Sequence, residues 1–169
     1  TSYNRRHLYL LAKNNDKPVA RFTARHEGVS QEEGMKIPEE LFGGLSSEIE
    51  LCEDAPVLST SNVWVTAGIM NGTRGTIRAI VYRKGDRPDH ENPDRRLPHV
   101  ILVECPQFSG EPFFDVRTHP ERRHWVPFFP RDAKEENETG VTRTQYALTL
   151  AWALTPWKAQ GVTLELLSL

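Results

Sequence analysis

The sequence is poor in several things, and each shortage excludes something. It has only two cysteines, Cys52 and Cys105, far apart and without metal-type spacing. A disulfide framework and a zinc ribbon are therefore both poor readings, and reduced core thiols of an intracellular protein are expected. His119 and His124 do not repair the zinc spacing. No uninterrupted apolar run reaches the length of a membrane span, and no signal-peptide pattern opens the chain. Charge of one sign is also missing: Lys and Arg total 21 against 23 Asp and Glu, a formal net charge of −2. Any contact with a polyanion must therefore come from a local patch, not from a global field. The charge is uneven, acidic over residues 32–54 and basic over residues 117–131. There is no internal repeat and no low-complexity tract.

What remains is enough for one globular domain, or for one domain with a small insertion: 169 residues, 38% of them hydrophobic. The chain starts at Thr1 and its last residues continue an apolar strand pattern, so a piece of a longer protein is expected. Residues 4–13 predict a helix with Leu8 and Leu11 on one face. Residues 18–24 alternate like a strand, with Ala20, Phe22 and Ala24 on one side. Residues 26–46 read as loop or short helical turns. Residues 49–60 read as two short strands around Asp54-Ala55-Pro56. Asn71-Gly72 is a hairpin signal, because both residues tolerate positive φ. Gly75 opens a strand over residues 76–82, with Ile77, Ala79 and Val81 on one face and Arg78 on the other. Residues 83–97 form a charged, proline-rich loop. Further short strands are expected at 99–104, 112–116 and 125–129, giving a small β-barrel over roughly 65–130. Residues 130–140 are a charged connector, and 142–154 return to a long apolar strand in which Trp152 is a core residue.

Near the end stands Thr155-Pro156-Trp157-Lys158-Ala159-Gln160-Gly161-Val162-Thr163. Thr155 suits a helix N-cap, Pro156 the first helical position and Gly161 the C′ position. The pattern predicts strand, one-turn helix, strand, within a parallel or mixed sheet. Such a turn lies at a strand's carboxyl end, where α/β sheets place ligands.

These residues carry a resemblance. Ala153, Thr155, Lys158, Gln160, Gly161 and Thr163 resemble motif V of superfamily 1 DNA helicases of the PIF/RecD type. Asn62, Gly68, Ile69, Asn71, Gly72 and Gly75 are similar to the segment through which that family enters an inserted barrel of the Src-homology-three type. Residues 1–24 are similar to the region following motif IV. The resemblance implies an α/β fold: part of the second RecA-like motor domain (1–64 and 131–169) with an inserted small SH3-like β-barrel (65–130). It implies Lys158, Gln160 and Gly161 at the nucleotide cleft, and Thr155, Trp157, Asn71, Thr73 and Arg74 on single-stranded DNA. It also implies ATP and Mg²⁺ as cofactors of the intact parent, a missing N-terminal motor domain as partner, and 5′-to-3′ unwinding. The parent would be nuclear or mitochondrial in a eukaryote and cytoplasmic otherwise.

The departures bear on function. Where the family has a His before the Lys, this chain has Trp157; an indole face stacks on any base, and it packs equally well against a sheet. The chain has no G-x-x-x-x-G-K-[ST] phosphate loop, no Asp-Glu metal motif and no motif VI arginine, so alone it is expected not to hydrolyse ATP. The run Arg117, His119, Arg122, Arg123, His124 and Trp125 reads either as a single-strand path or as an ordinary charged loop. For Asn71–Arg74, a tight turn is the simplest reading, with phosphate contact by Arg74 as the functional one. Two other hypotheses stay open: a non-catalytic module that binds single-stranded nucleic acid, and a decayed mobile-element remnant. A phosphate loop upstream in the reading frame favours the helicase; a start codon just before Thr1 favours the others.

Overall fold

The computed structural model describes residues 2–137 and 139–153. The segment 155–163, and with it Thr155, Trp157, Lys158, Gln160 and Gly161, lies outside the described residues. Helix α1 (Ser2–Asn14) buries Asn4, Leu8 and Ala12, one residue per turn, with Leu11 packed at the edge of the same core. The chain then forms β1 (Ala20–Thr23), β2 (Arg25–Glu27), α2 (Gln31–Lys36), β3 (Glu48–Leu51) and β4 (Pro56–Ser59). Helix α2 begins with a capping box: the Ser30 hydroxyl accepts from Glu33 N, and the Glu33 carboxylate accepts from Ser30 N. β5 (Arg74–Val81), β6 (Val100–Glu104), β7 (Trp125–Phe128), β8 (Arg131–Lys134), β9 (Thr142–Gln145) and β10 (Leu148–Leu150) follow. No described helix is long and apolar enough to cross a membrane.

Three sheets result. β1 pairs with β3, β8 and β2 flank β9, and the order β10-β4-β5-β6-β7 makes a five-stranded sheet. The main core joins Leu8 of α1, Phe22 of β1, Leu51 of β3 and Ile77, Ile101 and Val126 of the large sheet. Phe22 and Ala24 are buried, as the alternation predicts. The five-stranded sheet takes β5–β7 from the expected barrel segment and adds β4 and β10 from its flanks. Every strand pair among the described residues is antiparallel. β10, which leads toward residue 155, was expected in a parallel or mixed sheet; it runs antiparallel to β4.

Four local expectations are corrected. The long strand over 142–154 is two strands, β9 and β10, in different sheets. The break falls at Tyr146-Ala147, where buried Tyr146 donates its hydroxyl to Pro98 O and Ala147 O accepts from Thr60 N. Residues 112–116 form no strand: the Asp115 carboxylate accepts from Arg117 N and its carbonyl from His119 N, so turn chemistry prevails over aromatic β-propensity. The charged connector contains β8, which is largely exposed and held by its ladder to β9. β5 carries a bulge between Ile77 and Ala79, which turns Val81 outward to 40% exposure and packs Ile80 against the core.

Candidate nucleic-acid interface

The turn at Asn71-Gly72 is real, but it follows a bridge instead of joining two long strands. Trp64 and Ile69 exchange two backbone hydrogen bonds across a 3-10 turn, Val65–Ala67. Thr73 N then donates to Met70 O. Gly72 has φ +87° and Asn71 is not left-handed, which makes this a turn with glycine at its third position. Asn71 N donates to the Asn62 carboxamide at 2.9 Å. Gly72 N and Ser59 N lock the turn onto β4 through Ser59 O and Thr73 O.

The named side chains fare differently. Thr73 is 8% exposed, and its hydroxyl accepts from Met70 N and donates to Gly68 O, so it braces the turn. Asn71 is exposed beside Asn62. Arg74 is exposed at the start of β5 and makes no ion pair among the described residues. A groove of about 370 Å³ opens alongside, lined by Asn62, Val63, Phe129, Pro130, Arg131 and Ala147. It extends from Asn62, the acceptor for Asn71 N, to Ala147, the residue preceding β10.

The basic run 117–125 is partly occupied by its own contacts. The Arg122 guanidinium lies 5.6 Å from the Phe114 ring centre and 5.1 Å from that of Trp125, a cation held between aromatics. His124 Nδ1 sits 3.2 Å from Phe108 O. Arg117, His119 and Arg123 remain on the surface.

Sequence reasoning missed two features. Asn4, buried on α1, clasps the chain just before residue 155: Nδ2 donates to Ala153 O at 2.7 Å and to Leu150 O at 3.3 Å, and Oδ1 accepts from Ala153 N at 2.7 Å. Only the placement of an Asn near the helix start hinted at this. Trp64, to which no role was assigned, projects into solvent at 41% exposure. Trp152 is partly buried against the core, as expected. Cys52 and Cys105 are both free and buried, and burial pushes their thiols up to about 11 and about 12.

No protein-family model matches the chain, and no curated protein matches it in sequence. Solved structures do match in fold. The Pif1 helicase from Candida albicans aligns over 95% of this chain and 34% of its own, at 21% identity and a TM-score of 0.61. Unliganded Pif1 from a Bacteroides species aligns over 86% and 36%, at 21% identity and a TM-score of 0.51. A structure of two coordinating Pif1 helicases at forked double-stranded DNA aligns over 86% and 25%, at 22% identity and a TM-score of 0.50. The chain spans about a quarter to a third of the length of these proteins. Its fold is that of part of a Pif1 helicase.

Proposed function

We propose that this chain is a part of a PIF-like, ATP-dependent DNA helicase: most of the second RecA-like motor domain with its inserted SH3-like barrel. The observation that carries the reading is the match of nearly the whole chain, 95% of it, to one third of a Pif1 helicase. The motif resemblance at 153–163 and at 62–75 is independent of it. In this reading Lys158, Gln160 and Gly161 form one wall of the nucleotide cleft, and Thr155, Trp157, Asn71 and Arg74 face a single strand. Thr73 holds the turn that presents its neighbours.

The nucleotide and Mg²⁺ belong to the parent. Among the described residues no group of three or more His, Cys, Asp or Glu lies together, and the sequence has no phosphate loop. What this chain contributes is grip, with ring faces for bases and guanidinium groups for phosphates.

The test is the anisotropy of labelled oligothymidine titrated with this chain at two salt concentrations, beside Trp157→Ala. Salt-sensitive binding that weakens about tenfold in the variant is expected. Absence of binding by a chain that circular dichroism shows to be folded sinks the proposal that this segment itself holds DNA.

A further inference from the structure

An exposed aromatic patch lies outside every residue assigned above. Trp64 and Phe113 are 41% and 49% exposed, and their rings stand 5.9 Å apart at 66°. Both rest on Phe108, which is 4% exposed: its ring is 5.8 Å from Trp64 and stacked at 5.8 Å with Phe113. Val63, Val65 and Met70 add exposed apolar surface around them. A patch of this kind on a small fold marks a contact surface, because leaving adjacent large rings in water is unfavourable.

The patch is rigidly mounted. Trp64 N donates to Ile69 O at 2.7 Å and Ile69 N returns a bond at 3.0 Å. Ser109 N donates to Ala67 O, tying the loop to the segment that carries Phe108. Gly68, at φ +82°, lies so close to this segment that a Cβ would sit 2.5 Å from Gln107 O. The rings therefore keep their geometry without a ligand, and little ordering is needed on binding.

The surroundings point to the occupant. Phe113 continues into Phe114, whose ring meets Trp125 edge-on at 5.9 Å with Arg122 over both. Arg117 and Arg123 are exposed and make no ion pair among the described residues. Of the nearby acids, Asp115 accepts from Arg117 N and Glu121 lies 3.4 Å from His119 and 3.3 Å from Arg122, while Glu111 is exposed. Exposed rings, with unpaired arginines in the segment that follows Phe113, match a chain of flat bases on an anionic backbone. We propose that Trp64 and Phe113, seated on Phe108, form a stacking platform for the bases of a single-stranded nucleic acid, with Arg117 and Arg123 on its phosphates. The proposal rests on the helicase reading for its ligand class, but it uses none of the same residues.

Fluorescein-labelled oligothymidine titrated with the full chain tests it, using Trp64→Ala, Phe113→Ala, Trp64→Phe and Arg123→Ala. The two ring deletions are expected to weaken binding about tenfold each, with the salt slope unchanged. Trp64→Phe retains most of the affinity, and Arg123→Ala lowers the salt slope. A general loss of packing reproduces neither split. Unchanged affinity in both ring deletions overturns the platform. So does self-association through the patch, seen in sedimentation, without oligonucleotide binding. A loss in Trp157→Ala with none in Trp64→Ala overturns the platform and leaves the helicase reading standing. The reverse pattern supports the platform and removes the role given to Trp157. No binding by the folded wild-type chain overturns both.

Discussion

Arg143 is fully buried on β9, and its guanidinium uses every side it has. Nε donates to His26 Nε2 at 2.9 Å, Nη1 to Leu45 O, and Nη2 to Gly34 O and Ile37 O, while the Phe42 ring lies 4.2 Å away. A planar fork is needed for this, and lysine cannot replace it. The same contacts set the protonation of His26. Its Nε2 must accept from Arg143, which requires a neutral imidazole with the proton on Nδ1, where Gln31 Oε1 lies 3.2 Å away. Desolvation lowers the His26 pKa; the Gln31 hydrogen bond opposes this, and the charge of Arg143 adds to it. The folded value is below the unfolded one, so the stabilising contribution is fully present above pH about 6.5. It is lost as the pH falls from there toward the folded value, because the unfolded chain then takes up the proton first. Urea unfolding at pH 7 and pH 5 should show a loss of stability that is smaller in His26→Gln, whose carboxamide oxygen still accepts from Arg143. An equal loss in both proteins would dissociate the effect from His26.

At the scale of elements, helix α2 illustrates how context reverses a propensity. Gly34 stands inside it, where alanine ordinarily stabilises by about 1 kcal/mol. Here a Cβ would lie 2.3 Å from His26 Cγ and 2.8 Å from His26 Cβ, and the ring cannot retreat while Arg143 and Gln31 hold it. Gly34→Ala should therefore destabilise by about 2 kcal/mol, measured by urea denaturation; a stabilised variant would mean that β2 and α2 can separate freely. The same contrast of local and distant causes decides what was legible beforehand. The stripe of Leu8 and Leu11, the alternation at Phe22 and Ala24 and the loop at 83–97 follow from neighbouring residues, and all are found. The bulge at Arg78 does not. Its guanidinium reaches Asp54 at 2.7 Å and Glu104 at 2.6 Å, partners 24 and 26 residues away that no local pattern reveals. β8 is equally hidden, since an exposed strand has no apolar alternation to read. The outward position of Trp64 is hidden too, since it goes with the bridge to Ile69. Of the candidate interface, the Asn71 turn was legible from its own glycine, and the aromatic platform, assembled from segments more than 40 residues apart, was not.

At the scale of the whole molecule, one contact joins the first helix to the last described residues. Asn4 joins helix α1 to Leu150 and Ala153 across up to 149 residues, and it satisfies both the N–H and the C=O of Ala153. α1 also packs Leu8 and Ala12 into the core that Leu148 shares, so the clasp sits on a rigid base. The contact holds the chain at Ala153, two residues before Thr155 in sequence. Removing it should therefore have a local signature as well as a global one. Asn4→Ala leaves a poorly hydrated N–H and C=O without their partner and should destabilise by about 2 kcal/mol. Asn4→Asp keeps an acceptor for Ala153 N but loses the donor to both carbonyls, and should fall between the two. Amide exchange at Ala151–Ala153 should accelerate in Asn4→Ala by more than the global loss explains, with Ile101–Val103 in the centre of the large sheet as the internal reference. If both segments accelerate by the same factor, Asn4 contributes only to overall stability, and residues 150–153 are held by β10 and its neighbours alone.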